Sequence, residues 1–125
     1  MSTGSSALPH SDVLHTRFCD LVGCRLPIVQ TGMGWVSGAR LTAATAAAGG
    51  LGILASITMT GEQFRDAVRR VQAETDRPFG VNLRAGQPDL AERIGWAAEQ
   101  GVRVFSFAGA PTKDAIARIH DAGAL

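Results

Sequence analysis

The stretch PIVQTGMGWVSGARLTAATAAAGG, residues 27–50, runs from a short apolar segment through Gly32, Gly34 and Gly38 into an Ala-rich segment closed by Gly-Gly. An apolar run of strand length, a glycine-bearing turn and a run of helical length together make one βα unit. The same order returns downstream at intervals of about 25 residues, the mark of repeated supersecondary units.

The strands predicted by these repeats are PIVQ, LGILAS, PFGVNL and VRVFSFA. None alternates apolar with polar residues, and such continuous runs belong to parallel strands covered on both faces. Between them, Phe64, Ala67, Val68 and Val71 fall on one helical face, with Thr60 and Gln63 spaced for a capping box. Leu90, Ile94, Ala97 and Ala98 repeat the stripe and stop at Gly101, and a last helix carrying Ile116 and Ile119 stops at Gly123. Upstream, VLHTRFCDLVG predicts a short leading helix with Val13, Leu14, Phe18, Leu21 and Val22 on its apolar side, closed by Gly23.

Four successive βα units with right-handed crossovers give parallel neighbours, so the class is α/β. Two architectures use such units, an open doubly wound sheet and a (β/α)8 barrel, of which four units make half.

Composition narrows the function classes. With 46% hydrophobic and 18% charged residues over 125 positions, the chain has material for one core. Twelve basic and eleven acidic residues give a net charge of +1, so there is no electrostatic footprint for nucleic acid or an anionic membrane. The opening MSTGSSALPHSD, residues 1–12, lacks the basic and apolar regions of a secretory signal and reads as a tail on a cytoplasmic protein. The run LTAATAAAGGLGILASI is too short for a membrane span and is broken by Gly-Gly, which suits a buried helix followed by a buried strand. Cys19 and Cys24, with His10 and His15 upstream, match no metal-ligand spacing and read as two ordinary thiols, with no metal site.

The glycines of the first unit raise the possibility of a nucleotide loop. A dinucleotide fold needs Gly-x-Gly-x-x-Gly and an acid about twenty residues on, for the ribose. Here Gly32, Gly34 and Gly38 are one residue too widely spaced, and no Asp or Glu occurs between Asp20 and Glu62. A nicotinamide site of that kind is therefore not expected. A tight turn without any ligand remains the alternative for the glycines, and Gly49, Gly50 and Gly52 suit a helix stop and close packing.

PIVQTGMG, AAGGLGILA and DRPFGVNL, in this order and at this spacing, resemble the N-terminal half of the nitronate monooxygenase family, formerly called 2-nitropropane dioxygenases. The resemblance runs from about residue 16 to the end of the chain. It implies a flavin oxidoreductase on a (β/α)8 barrel, with 13–125 as the N-terminal half, FMN as cofactor and an alkyl nitronate oxidised with dioxygen as substrate. Gly32, Met33 and Gly34 would then bring main-chain amides and a thioether to the flavin ring, and Asn82 would hydrogen-bond it. Ser106 and Gly109, after the fourth strand, would border the substrate, at the face where barrels place their chemistry. Where many family members carry proline before the methionine, this chain has Gly32, which makes the loop more pliable. His120 falls near the end of the last helix, far from that face, where a cation suits the helix dipole.

The family's histidine base and phosphate grip come from later strands, so no catalytic residue is assigned in this chain, and the isolated chain is expected to be inactive. A full barrel runs to about 250 residues, and half of one leaves two strand edges and a concave face uncovered. The chain is therefore expected to be a piece of a longer enzyme; a second copy completing the barrel as a homodimer is the runner-up, and flattening into a small open sheet the third outcome. Two other readings stay open: a related flavin-dependent enoyl reductase barrel, and a non-catalytic α/β module whose exposed sheet face binds a partner.

Overall fold

A computed structural model describes residues 13–125; the segment 1–12 assigned to a tail lies outside them. The elements alternate as expected: α1 (Arg17–Val22), β1 (Val29–Gln30), α2 (Ala39–Ala47), β2 (Leu51–Ala55), α3 (Gly61–Glu74), β3 (Gly80–Arg84), α4 (Leu90–Glu99), β4 (Val104–Ala108) and α5 (Lys113–Asp121). All strand pairs are parallel, and the spatial order β1-β2-β3-β4 follows the chain. A doubly wound sheet needs a point where strand order reverses, and none occurs in these four. The strands form a half-barrel with alternating helices.

The predicted helix ends hold where local chemistry sets them. The hydroxyl of Thr60 accepts the N–H of Gln63, whose side-chain amide oxygen accepts the N–H of Thr60, completing the capping box of α3. Gly23, Gly101 and Gly123 have φ of 86°, 89° and 76°, the left-handed backbone that ends a helix at glycine.

Two helical expectations need correcting. The leading helix is interrupted: Val13 and Leu14 are helical, but Thr16 is extended (φ −121°, ψ 170°) and α1 starts afresh at Arg17. Val13, Leu14 and Leu21, 80%, 49% and 56% exposed, take no part in its apolar side, which is made by Cys19 and Val22. In α5 it is Ala115 that pairs with Ile119 in the core, while Ile116 is turned outward, 39% exposed. The stripe that packs is i, i+4 from Ala115, not i, i+3 from Ile116.

The sheet separates two apolar clusters. Leu54, Val81, Leu83 and Phe105 meet Phe64, Val68, Val71, Ile94, Ala97 and Ile119 from the helices, forming the larger one. Cys19, Val22 and Cys24, from α1 and the turn after it, pack with Leu51 and Ile53 to form the smaller. Coverage on both faces holds throughout β2, all five residues of which are buried, but not at the sheet's two ends: Val29 of β1 is half exposed and Ala108 of β4 is exposed. Gly52 sits where α2 presses on β2, since a Cβ there would lie 2.3 Å from the carbonyl oxygen of Thr42.

Candidate functional site

Register and pleat place the candidate residues. Ile53, Gly80 and Val104 are paired across β2, β3 and β4, and two residues on Ala55, Asn82 and Ser106 are paired in turn. Because strand side chains alternate, these six positions share one face, the lower layer apolar and the upper carrying two polar side chains, Asn82 and Ser106, beside Ala55. The layers lie in order towards the C-terminal ends of the strands.

Within the upper layer the Asn82 amide donates from Nδ2 to Ser106 Oγ at 2.9 Å, which fixes its orientation. No protein donor reaches Asn82 Oδ1 among the described residues, so this acceptor is free to serve a ligand. The carbonyl of Asn82 accepts both the N–H and the hydroxyl of Ser56, at 3.2 and 2.6 Å. Gly32, from the loop after β1, lies directly over this group: a Cβ at Gly32 would come within 2.5 Å of Asn82 Cβ. Glycine is therefore demanded by the Asn82 side chain itself, a reason that pliability of the loop did not anticipate.

Nor is that loop slack. The hydroxyl of Ser37, a buried residue, accepts the N–H of Met33 at 2.6 Å, and the Met33 carbonyl accepts the N–H groups of Val36 and Ser37. The carbonyl of Ser37 accepts the N–H of Ala55, tying the turn to the end of β2. The Met33 amide is thus occupied, whereas the N–H groups of Gly32 and Gly34 have no acceptor among the described residues. The Met33 side chain is 38% exposed.

Inside this turn Trp35 adopts φ of 66° and is 88% exposed. Left-handed backbone at a bulky residue costs about 1–3 kcal/mol and persists where surrounding structure enforces it. Val36 and Ile57, from the loops after β1 and β2, are also exposed, so Met33, Trp35, Val36 and Ile57 give these two loops an apolar surface. Gly109, with φ of 90°, closes β4 in the same left-handed conformation that the helix-ending glycines use. His120 is exposed in the last turn of α5.

A second residue that sequence reasoning passed over is Arg93. It is buried to 7% exposure and donates to the carbonyls of Ser56 (2.9 Å) and Met59 (2.7 Å) while pairing with Asp89 at 2.7 Å. Its guanidinium also stands 5.3 Å from the centre of the Phe64 ring. Hydrogen bonds from Arg93 and then from Gln87 hold the Asp89 carboxyl below its ordinary value. In this way α4 anchors the loop after β2, and Ser56 passes that anchorage to Asn82. A signal was present: Arg93 stands at i+3 in the stripe Leu90, Ile94, Ala97, a core-facing position.

The thiols lie at the opposite end of the strands from this site. Both are free and buried. Hydrogen bonding from the Thr16 backbone lowers the Cys19 thiol, and burial raises that of Cys24. Among the described residues no three metal-ligating side chains gather, and no helix is long and apolar enough to cross a membrane.

The family model for nitronate monooxygenase matches residues 15–125. The chain belongs to the nitronate monooxygenase family. Among curated relatives, it is 54% identical over 112 residues to a (3aS,4S,5R,7aS)-5-hydroxy-7a-methyl-1-oxo-octahydro-1H-indene-4-carboxyl-CoA dehydrogenase of Mycobacterium tuberculosis, covering 90% of this chain and 32% of that protein. It is 43% identical over 83 residues to a nitronate monooxygenase of Pseudomonas aeruginosa, covering 64% of this chain and 24% of that one. FabK from Thermotoga maritima superposes with a TM-score of 0.83 at 33% identity, over 88% of this chain and 35% of its own. This member of the family thus spans about a third of the length of the two curated relatives that share 54% and 51% identity with it.

Proposed function

We propose that this chain supplies the ring-binding side of an FMN site in a flavin-dependent oxidoreductase whose whole barrel is longer than these 125 residues. The observation that carries the reading is the meeting of Gly32 with Asn82, at the C-terminal ends of parallel strands, in the loop that also carries Met33 and Gly34. The donor set suits a flat heteroaromatic ring bearing both acceptors and donors: free N–H groups on Gly32 and Gly34, a free amide oxygen on Asn82, and an exposed thioether on Met33. Ser106 orients the Asn82 amide and, with Gly109, borders the substrate. When bound, the flavin takes up the electrons removed from substrate, and the protein's part is to hold and orient it. Spanning a third of its relatives, the chain alone does not turn over substrate.

For the substrate, the acyl-CoA reading has the closer support in identity. A relative 54% identical acts on the CoA ester of a bicyclic acid, and the exposed apolar group of Met33, Trp35, Val36 and Ile57 suits a bulky apolar acyl body. An alkyl nitronate is the second reading, supported by the family model over residues 15–125. Oxidation of that substrate would consume dioxygen.

The test uses lumiflavin, the flavin ring without its phosphate chain, beside FMN. Saturable quenching of flavin fluorescence by the chain is expected, with about tenfold weaker binding in Asn82→Ala, the size of one hydrogen bond to a buried polar group. Absence of saturable quenching with both flavins, or equal affinity in Asn82→Ala, overturns the assignment.

A further inference from the structure

Between α2 and α3 a groove of about 530 Å³ opens beside the candidate site, reaching from Trp35 to Arg70. Both its walls belong to this half of the barrel, so it does not depend on the strands that would complete the fold. Ala39 and Met59 give it apolar lining near Trp35, and Gln63, Asp66 and Arg70 follow one another along α3. From Gln63 to Arg70 the helix rises about 10 Å, carrying the groove away from the C-terminal face.

The polar groups are graded along this path. Gln63 spends its amide oxygen on the Thr60 N–H, which fixes the side chain and leaves its NH2 as a donor. Asp66 is an acceptor held by Arg69 at 3.3 Å. Of the three arginines on α3, Arg65 pairs with Glu92 and Arg69 with Asp66, while Arg70 has no acidic partner among the described residues. The groove thus offers, in order, an aromatic surface held in strained backbone, an amide donor, a carboxylate acceptor and a free cation.

We infer that this groove holds the phosphopantetheine arm of a thioester substrate, resting on the acyl-thioester reading above. The thioester end lies under Trp35 and Met59, the amides of the arm meet Gln63 and Asp66, and the phosphate pairs with Arg70. An arm of this chemistry has an apolar start, amides that both donate and accept, and one anionic end, which is the order of the lining groups. A nitronate has no part that reaches Arg70.

The experiment is an NMR titration of the flavin-free chain with 4′-phosphopantetheine, coenzyme A and adenosine 3′,5′-bisphosphate in separate arms. Phosphopantetheine and coenzyme A are expected to shift the Trp35 indole and Gln63 side-chain signals, with affinity falling about tenfold in Arg70→Ala and largely kept in Arg70→Lys. Tighter binding of coenzyme A than of phosphopantetheine supports the free coenzyme as carrier of the acyl group; equal binding supports recognition of the arm alone, as presented by a carrier protein. Unmoved Trp35 and Gln63 signals, binding of the bisphosphate alone, or an Arg70→Ala affinity equal to wild type overturns the inference. Arg70 is exposed, and alanine there favours the helix, so the variant keeps the fold. Lumiflavin binding measured on the same samples reports separately on the flavin reading.

Discussion

Removing Arg93 tests whether the site is held from α4. In Arg93→Ala the carbonyls of Ser56 and Met59 lose their guanidinium donors, and Asp89 loses its partner. A buried acceptor left without a donor costs about 1–3 kcal/mol. Asp89 is 36% exposed, so its ion pair adds no more than about 1 kcal/mol after screening. Together these losses come to about 4 kcal/mol, in line with breaking one partner out of a buried pair. A domain has only about 5–15 kcal/mol in all, so the variant is expected to sit near the edge of stability. Urea unfolding followed by circular dichroism reads this directly: with a slope of about 2 kcal/mol per molar, the midpoint falls by about 2 M. Arg93→Lys keeps the charge but cannot reach both carbonyls and Asp89 in one geometry, and is expected midway. Arg118→Ala breaks the Arg118–Asp114 pair, whose side chains are 54% and 74% exposed, and is the contrast, with a midpoint close to that of wild type. A midpoint for Arg93→Ala within about 0.5 M of wild type would refute the argument that Arg93 anchors the loop after β2.

The other expectations are more local. Thr60→Ala removes the oxygen that accepts the Gln63 N–H and is expected to cost about 1 kcal/mol in the same urea assay. Gly52→Ala sets a methyl against main chain that cannot rotate away, and a loss of about 3 kcal/mol or failure to accumulate folded protein is expected. Asp89 titrates below its ordinary value of 3.8 in the folded chain, so its contribution is present above that pH and lost as pH falls through the folded value. Wild type should accordingly lose more stability than Asp89→Asn on acidification from pH 5 to 3; parallel curves would remove Asp89 from the acid response.

How far the sequence could be read depended on whether a signal was local. The capping box of α3 and the glycine stops at 23, 101 and 123 are made within one turn of chain, and they stand where the spacing put them. The βα order followed from the alternation of apolar runs, for the same reason. Ile116 was misplaced because a nine-residue helix offers two overlapping stripes, and only the sheet beneath α5 selects Ala115 and Ile119. Arg93 was passed over because a charged residue in a helix is ordinarily taken for surface, although its i+3 position in the apolar stripe marked it as facing inward.

By itself, then, the sequence determined the class, the succession of βα units, the capping box of α3, the glycine stops at 23, 101 and 123 and the glycine loop after β1, all set by contacts a few residues apart and by motifs that resemble one family. The choice of half-barrel over open sheet belonged to the tertiary structure, since strand order is a matter of which edges pair. So did the meeting of Gly32 with Asn82, the Asn82–Ser106 hydrogen bond, the Arg93 anchor and the left-handed Trp35. Each of these joins residues from different units or fixes a backbone angle through its surroundings, and no spacing along the chain encodes such contacts.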